Sequence, residues 1–347
     1  MHLSLLLPQL LWPEPEDKFA LEDLPCPALE WLLAHGVLAR DPSLPYERAL
    51  ATVLGIDGET PFGALRLLGE PKVPPSLDAK EGYWICADPV HLRFHHEQII
   101  LAEAGAFELD EDEACALADG LNQAFSDLGR FHVADRRRWY LRLNSHAQHS
   151  FPPISAVAGR RIEGELPNEP QASKLRSRLN EIQMFLHGHP VNEARGSAGK
   201  PAVNSLWLWG AGTLPAMRSN THDGIWSSDP LALGLARSGR VQAHPLPGHL
   251  DALLSHAAPQ SHHLVVLDQL QAPAIYEDSR GWRETMIQLE ANWFAPLKAV
   301  MGRDIRALTL IAPTVYGRLT WEVKGNARWQ FWRRPKSIAV LAREFAQ

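Results

Sequence analysis

The chain has 347 residues, of which 45% are hydrophobic and 21% charged, and its formal net charge is −6. This length suits one large domain or two medium ones with a substantial buried core. The acidic balance offers no basic surface to attract nucleic acid or anionic lipid, so we expect neither a nucleic acid nor a membrane as partner.

The cysteines and the first apolar run bear on where the protein resides. Cys26, Cys86 and Cys115 have no CxxC spacing and no even pairing, which argues against a disulfide framework and suits a reducing compartment. The run MHLSLLLPQLLWPEPE lacks a basic start and a cleavage site, and it is too short to cross a bilayer. We therefore expect a cytoplasmic protein whose first apolar run is a buried strand.

Five segments carry apolar residues at helical spacing. A proline or a Ser/Asp cap stands at the start of several of them, and a glycine follows the end of several, as is typical of helix termini. The predicted helices are 27–39, 110–128, 171–187, 228–238 and 281–301, the last interrupted at Pro296.

Short apolar runs predict buried strands between these helices. They are 3–7, 83–86, 139–143, 205–209, 264–267 and 307–312. In the tail, residues 319–323 and 327–332 alternate around the sequence KGN, which predicts an antiparallel hairpin. Because strands and helices alternate and apolar strands stand at both ends, we expect an α/β domain formed by the two terminal regions, with another unit inserted between them.

General catalytic motifs give little support for a particular chemistry. The turn at 210–212 (GAG) follows a strand but lacks the third glycine of a dinucleotide site, and Pro215 stands where a helix should begin. The sixteen histidines are scattered, and no close pair has Asp or Glu at ligand spacing. We predict neither a metal nor a cofactor. Arg93 and Arg142 are candidates for anion binding, although a surface or salt-bridged role is equally open.

Residues 189–212, HPVNEARGSAGKPAVNSLWLWGAG, resemble the middle of the archaeal-type, cofactor-independent phosphoglycerate mutases. That family carries an HPVN-x-x-R stretch followed by A-N-x-x-W-x-W-G-x-G. The matching positions here are His189 to Asn192, Arg195, Asn204, Trp207, Trp209, Gly210 and Gly212. Weaker similarity runs from the N-terminus to about residue 240. The chain also looks like the bacterial RpfE-type regulatory proteins, which are related to those mutases.

The resemblance implies an α/β protein with an alkaline-phosphatase-like core sheet flanked by helices and split by an inserted α+β domain. We expect the core to comprise residues 1–60 and 200–347 and the inserted, substrate-type domain to comprise 61–199. In that family, two metal ions activate a serine that passes phosphate between the hydroxyls of a glycerate.

This sequence departs from the family where that chemistry takes place. The family has metal-ligating aspartates and histidines after its core strands and a nucleophilic serine before a helix. The residues that stand at those places here are Pro8-Gln9, Ser43 or Thr52, Asp268 with Glu277 and Asp278, and Ala312-Pro313. Proline and alanine side chains cannot bind a cation, so losing nearly all ligands removes the metal cage.

We therefore expect a degenerate, non-catalytic relative with a ligand-binding or regulatory role. The alternatives are an active mutase or phosphatase that uses other ligands, such as Asp268, Glu277, Asp278 or His222-Asp223, and an interaction protein with a vestigial pocket. The expected partner is a small acidic or phosphorylated ligand, and a protein partner is also compatible with the sequence. The expected ligand-binding residues are His189, Asn192, Arg195, Asn204, Arg142 and Arg93.

Overall fold

The computed structural model describes residues 1–72, 77–95, 98–146, 151–162, 173–216, 221–330 and 332–347. The chain divides into two compact units. The split unit contains Met1–Gly55 and Ser219–Gln347, and the inserted unit contains Ile56–Arg218. No helix among the described residues is long and apolar enough to cross a membrane.

The described residues form twelve strands and fourteen α-helices, which are named in chain order. The strands are β1 (His2–Leu6), β2 (Val37–Asp41), β3 (Tyr83–His95), β4 (Gln98–Glu103), β5 (Gly129–Asp135), β6 (Arg138–Leu143), β7 (Ser205–Gly212), β8 (Gly224–Trp226), β9 (Gln242–His244), β10 (His262–Val266), β11 (Ala307–Thr314) and β12 (Gly317–Lys324). The helices are α1 (Lys18–Leu21), α2 (Pro27–His35), α3 (Tyr46–Val53), α4 (Phe62–Gly69), α5 (Glu111–Ala124), α6 (Ile154–Val157), α7 (Ser173–His187), α8 (Pro190–Ser197), α9 (Pro230–Ser238), α10 (Leu250–Leu254), α11 (Gln271–Ile275), α12 (Ser279–Leu289), α13 (Ala295–Val300) and α14 (Ile338–Ala346).

The split unit is built on a seven-stranded sheet of order β2-β12-β11-β1-β10-β8-β9. β11, β1, β10, β8 and β9 are parallel, whereas β12 and β2 run antiparallel to their neighbours. Leu5 of β1 lies opposite both Val265 and Leu310, so the first strand of the chain is held between strands from its far end. These side chains are fully buried, as the apolar run of β1 predicts for a strand with both faces covered. The predicted α/β class, with a sheet flanked by helices, is confirmed.

The predicted helix over 281–301 is a helical stretch with an irregular middle. α12 and α13 are joined by a π-helical turn at Glu290–Phe294, just before Pro296. Proline lacks an N–H and disrupts the preceding turn of a helix, which accounts for the irregularity. The buried carboxylate of Glu290 accepts hydrogen bonds from the N–H groups of Ala28 (2.7 Å) and Leu29 (3.1 Å). It thereby caps the amino end of α2 from a distant part of the chain.

The inserted unit contains a sheet of order β4-β3-β6-β5, and β7 also pairs with β3. All of these pairings are antiparallel. The 13-residue β3 is the central strand, because it pairs with β4, β6 and β7 along its length.

A buried ion pair lies at the centre of the inserted unit. The guanidinium of Arg66, on α4, donates to both carboxylate oxygens of Asp88 at 2.8 and 2.6 Å. Asp88 also accepts hydrogen bonds from the indole N–H of Trp209 (2.8 Å) and the backbone N–H of Trp139 (3.3 Å). Arg66 donates in addition to the Tyr140 hydroxyl at 3.0 Å. Asp88 is thus the buried partner of an arginine.

The position of strand 205–209 corrects the predicted domain boundary. We expected this strand in the core formed by 1–60 and 200–347, but β7 pairs with β3 in the inserted unit. The rings of Phe151 and Trp207 lie 4.7 Å apart, and those of Phe62 and Trp209 lie 5.8 Å apart. An apolar run predicts burial but does not determine which of two sheets the strand joins. The inserted unit therefore extends to Arg218 instead of ending at 199.

The predicted tail hairpin of 319–323 and 327–332 is wrong. The hairpin is formed by β11 and β12, with Thr314 opposite Gly317. Thr314 Oγ1 accepts a hydrogen bond from the Tyr316 N–H and donates to the Gly317 carbonyl, which tightens this turn. The Gly325 N–H donates to Arg306 O at 2.7 Å, and after β12 the chain continues as a 3₁₀ helix at Gly325–Trp329 instead of a second hairpin strand. Phe331 lies outside the described residues.

The buried ion pair generates a stability prediction. Asp88→Ala leaves the Arg66 charge buried without its partner, so we expect the free energy of unfolding to fall by about 3–5 kcal/mol. Asp127→Ala is the matched control, because it removes a carboxylate from an exposed ion pair with Arg178 and should cost about 1 kcal/mol or less. Urea unfolding of both variants measures the difference. Equal losses would contradict the central role of Asp88.

Candidate functional site

The carboxyl ends of adjacent parallel strands meet at one edge of the split unit's sheet, which we call the carboxyl edge. In open α/β sheets, ligands bind at this edge. Gln9 comes shortly after β1, Asp268 after β10, and Asp229 after β8. Because β1, β10 and β8 are neighbours in the sheet, these three residues follow strand ends that lie side by side.

Asp229 is already engaged by other groups of the protein. Its Oδ2 accepts a hydrogen bond of 2.6 Å from the Tyr46 hydroxyl. Its Oδ1 accepts a hydrogen bond of 3.0 Å from the N–H of Leu231 and so caps the amino end of α9. Burial, followed by the negative charges of Asp229 and Asp268, raises the pKa of Tyr46 well above its usual value. Tyr46 therefore stays a neutral hydrogen-bond donor to Asp229.

Asp268 is the second carboxyl group at this edge. Its pKa is raised to about 6, mainly by burial and further by the nearby charge of Asp229. The other two acids of the predicted set do not extend this pair. Asp278 caps α12 by accepting from the N–H of Gly281 at 2.9 Å, and Glu277 precedes it in a turn with a φ of +55°.

Gln9 stands where the resemblance implies a metal-ligating aspartate. Its backbone has a φ of +59°, its N–H donates to Pro313 O at 2.9 Å, and its carbonyl accepts from the indole N–H of Trp282 at 3.0 Å. Its side-chain oxygen is buried and has no hydrogen-bond partner in the described part of the chain. Gln9 is held in a conformation that is uncommon for residues other than glycine, and it presents a neutral amide.

The two hydroxyls considered as nucleophiles both donate to backbone carbonyls. Ser43 Oγ donates to Thr314 O at 2.7 Å, and Thr52 Oγ1 donates to Arg48 O at 2.9 Å within α3. Ser43 thus lies beside the end of β11, whereas the Thr52 hydroxyl forms a hydrogen bond within its own helix.

The alternative ligand pair His222-Asp223 lies at the opposite edge. These residues precede β8, so they lie at the amino end of the strand whose carboxyl end leads to Asp229. His222 packs against His262, with 4.1 Å between the ring centroids, and burial followed by the charge of His262 lowers the pKa of His222 to about 4. His262 also stacks on His2. Across the described residues, we find no three His, Cys, Asp or Glu side chains arranged to hold a metal ion.

The structure gives Arg195 and Asn192 internal partners in place of the predicted ligand. Arg195 is 1% exposed and donates to Pro201 O (2.8 Å), Glu108 O (2.7 Å) and the carboxylate of Glu113. The Asn192 amide donates to the carbonyls of Leu186 and Val203 and accepts from the Val203 N–H, all within 2.9 Å. These contacts attach α8 to its surroundings, so the HPVN-x-x-R stretch is a packing element.

The other predicted ligand-binding residues are dispersed. His189 caps α8 by accepting from the Val191 N–H at 3.3 Å. Asn204 pairs with the backbone of Leu92, accepting at 2.7 Å and donating at 2.9 Å. Arg93 on β3 and Arg142 on β6 are exposed. Of the predicted set, Asn204 lines a cavity beneath α7.

Comparison with known proteins relates the chain to one class of enzymes. No family model matches it. It is 30% identical over 124 residues to "2,3-bisphosphoglycerate-independent phosphoglycerate mutase 2" of Methanothermobacter thermautotrophicus, a match that covers 35% of this chain and 30% of that protein. It is 25% identical over 215 residues to the 2,3-bisphosphoglycerate-independent phosphoglycerate mutase of Methanosarcina barkeri, covering 57% of this chain and 51% of that protein. These matches span about half or less of the relatives' length.

The fold also occurs in a solved structure. The PH0037 protein from Pyrococcus horikoshii superposes with a TM-score of 0.58 at 15% identity, covering 98% of this chain and 92% of that one. The chain is thus similar in sequence to cofactor-independent phosphoglycerate mutases, and it shares its fold with the PH0037 protein.

The carboxyl edge does not fit the two metal ions that the resemblance implies. Two divalent cations need a cage rich in carboxylates and imidazoles. The ends of β1, β8, β10 and β11 supply the neutral amide of Gln9, the hydrogen-bonded carboxylate of Asp229, the carboxyl of Asp268 and the backbone of Pro313. At the ends of the outer strands, the His244 ring stacks on Trp226 and the Asp41 carboxylate is paired with Arg318. Among the described residues, no three of these ligand types are grouped into such a cage.

The raised pKa of Asp268 generates a stability prediction. The folded protein holds this proton up to about pH 6, whereas the unfolded chain loses it near pH 3.8. Ionisation of Asp268 therefore destabilises the fold progressively from about pH 4 to pH 6, and the loss is complete above pH 6. We expect Asp268→Asn to raise the free energy of unfolding by roughly 1–3 kcal/mol at pH 8.

At pH 4, the gain of Asp268→Asn should disappear, because Asp268 is then protonated in the folded wild type. Glu284→Gln, which alters an exposed carboxylate on α12, should change stability by about 0.5 kcal/mol or less at both pH values. Urea unfolding at the two pH values provides the measurement. A loss of stability in Asp268→Asn at pH 8 would contradict the account of this carboxyl group.

Proposed function

We propose that this chain is a non-catalytic relative of the phosphoglycerate mutases that serves a ligand-binding or regulatory role. The observation that carries the proposal is that both carboxylate oxygens of Asp229 accept hydrogen bonds from the protein. One of its oxygens accepts from the Tyr46 hydroxyl and the other from the amino end of α9. A cation at Asp229 would have to share each oxygen with one of these partly buried hydrogen bonds, which leaves Asp229 with fewer free lone pairs than an unbonded carboxylate.

The other strand ends support the same proposal. Gln9 cannot supply a negative charge, and Ser43 uses its hydroxyl proton in a hydrogen bond to Thr314 O. A serine becomes a nucleophile when a base or a metal takes up that proton. The His222-Asp223 pair belongs to the opposite edge of the sheet and does not complete the site.

The resemblance to RpfE-type regulatory proteins favours a regulatory role in the cytoplasm, through a small acidic or phosphorylated ligand or a protein partner. One observation favours the alternative of an active mutase or phosphatase. Asp229 and Asp268 follow adjacent strands, and the charge of Asp229 acts on Asp268. Paired carboxyl groups of this kind also occur at catalytic sites.

Enzymatic assays decide between these two functions. We expect neither interconversion of 2- and 3-phosphoglycerate nor hydrolysis of p-nitrophenyl phosphate above the protein-free rate, with Mn²⁺ or Mg²⁺ added. Asp268→Asn should leave these background rates unchanged. An archaeal phosphoglycerate mutase assayed in parallel shows that the conditions support turnover.

The proposal fails if the wild type turns over either substrate in a metal-dependent manner and Asp268→Asn lowers that rate by about a hundredfold or more. Glu284→Gln is the matched carboxylate control, since it lies on the exposed surface of α12. If Glu284→Gln and Asp268→Asn retain the same metal-dependent rate, the activity resides at another site and the non-catalytic proposal is equally overturned.

A further inference from the structure

β2 is an edge strand of the split unit's sheet. It stands at one end of the strand order, and among the described residues it pairs with β12 alone. All five of its residues are exposed. An edge strand presents a row of backbone N–H and C=O groups to which a further strand can pair. β9 forms the opposite end of the sheet with three residues, and an edge strand that short is a poor template for pairing.

Apolar side chains are exposed on β2 and beside it. The exposed fraction is 60% for Val37 and 43% for Leu38. Successive residues of a strand point to opposite faces, so both faces of this strand carry apolar surface. Trp329 is 77% exposed, and the carbonyl of the next residue, Gln330, accepts a hydrogen bond of 3.2 Å from the ring of His35, shortly before β2. Exposed apolar patches commonly mark protein interfaces, in which tryptophan is enriched.

The charged residues of β2 are bound to other groups of the same chain. Arg40 donates through Nε to Tyr316 O at 2.9 Å and through Nη2 to Phe345 O at 3.1 Å. Asp41 Oδ2 accepts a hydrogen bond of 2.6 Å from Arg318. Proteins commonly protect an edge strand with charges that a second strand would have to desolvate. The first three residues of β2 carry no charge, so this part of the strand lacks that protection.

A strand that pairs with the outer side of β2 must itself have an open side. Every copy of this chain carries such a strand. A two-fold axis places β2 antiparallel to β2 of a second copy, so each copy offers the donors and acceptors that the other needs.

The charge pattern of β2 favours one register of this pairing. With Leu38 on the axis, Val37 of each copy lies opposite Ala39 of the other, and apolar side chains meet at the centre. With Ala39 on the axis, Val37 would face Asp41 and Leu38 would face Arg40. That second register would remove water from charged groups without giving them a new partner, which is unfavourable.

We infer that the chain forms a two-fold dimer in which the β2 strands of two copies pair antiparallel with Leu38 at the axis. The seven-stranded sheet then continues from one copy into the other. Val37 and Leu38 supply the apolar contacts, and the backbone of β2 supplies the hydrogen bonds. This inference goes beyond the proposed function and does not depend on it.

Sedimentation velocity over a range of protein concentrations measures this dimer. We expect a reversible equilibrium with a dissociation constant on the order of 10 µM, because a strand of five residues buries less area than a stable interface. Leu38→Lys should weaken the dimer about tenfold, since two ammonium groups would meet across the axis. Met184→Lys is the matched control. It makes the same kind of change on α7 of the inserted unit, where Met184 is 78% exposed, and should leave the dimer unchanged.

A charge exchange tests whether Leu38 meets Leu38 of a second copy. Leu38→Glu alone should weaken the dimer as Leu38→Lys does. An equimolar mixture of the two variants should dimerise again, because opposite charges then lie across the axis. An occupant other than a second copy would not bring these two substitutions together. Near-ultraviolet circular dichroism verifies that each variant keeps its tertiary packing.

A disulfide tests the register directly. Residues directly opposite in an antiparallel pair have Cα atoms about 4.5–5.5 Å apart, a distance that a disulfide spans. Cys115→Ser removes an exposed cysteine, whereas Cys26 and Cys86 are buried. In that background, Leu38→Cys should give a covalent dimer on mild oxidation, and Met184→Cys should give none.

The inference is overturned if the wild type remains monomeric at about 200 µM, well above the expected dissociation constant. It is also overturned if Leu38→Lys and Met184→Lys weaken the dimer equally, or if the mixture of Leu38→Lys and Leu38→Glu keeps its packing and stays monomeric. Equal cross-linking of Leu38→Cys and Met184→Cys would contradict it as well. Phosphoglycerate turnover by the wild type would refute the proposed function and leave these measurements unaffected.

Discussion

The ion pair between Arg66 and Asp88 is the constraint on which the inserted unit depends. It brings α4, β3, β6 and β7 together, because Asp88 on β3 also accepts from the backbone of Trp139 and the indole of Trp209. A buried charge without a partner costs several kcal/mol, so these four elements have little freedom to separate. Residues of β3 and β7 also line the cavity beneath α7. The shape of this cavity therefore depends on the ion pair that holds the two strands.

In both units, polar side chains that the sequence suggests as ligand-binding residues form hydrogen bonds within the protein. Arg195 and Asn192 bind backbone carbonyls around α8, and Asp229 is held by Tyr46 and by the amino end of α9. Buried polar groups require such partners, and a group whose partners are internal is less available to a ligand. The similarity in the HPVN-x-x-R stretch therefore includes residues that attach helices and strands to one another, a role that does not depend on catalysis.

Local patterns in the sequence were sufficient for the fold class and for several of the helices and strands, although short elements such as α10 and β9 were missed. Helix caps such as Asp229 and apolar runs such as that of β1 act over a few residues, so their structures were predictable. The sheet to which β7 belongs was not predictable, because the burial of Trp207 and Trp209 is the same in either unit. The cavity was missed for a related reason. The polar residues of α7 that line it occur at helical spacing, and such a pattern predicts a solvent-exposed face of a helix. Their position over a sheet becomes visible only in the structure.

The central claim is that the carboxyl edge of the split unit no longer holds a pair of catalytic metal ions. Calorimetric titration of Mn²⁺ into the protein at pH 8, where Asp268 is ionised, tests this claim most directly. The account predicts no saturable binding at stoichiometric concentrations, because Asp229 remains bound to Tyr46 and to α9. Saturable binding of two ions per chain, abolished by Asp268→Asn, would contradict it.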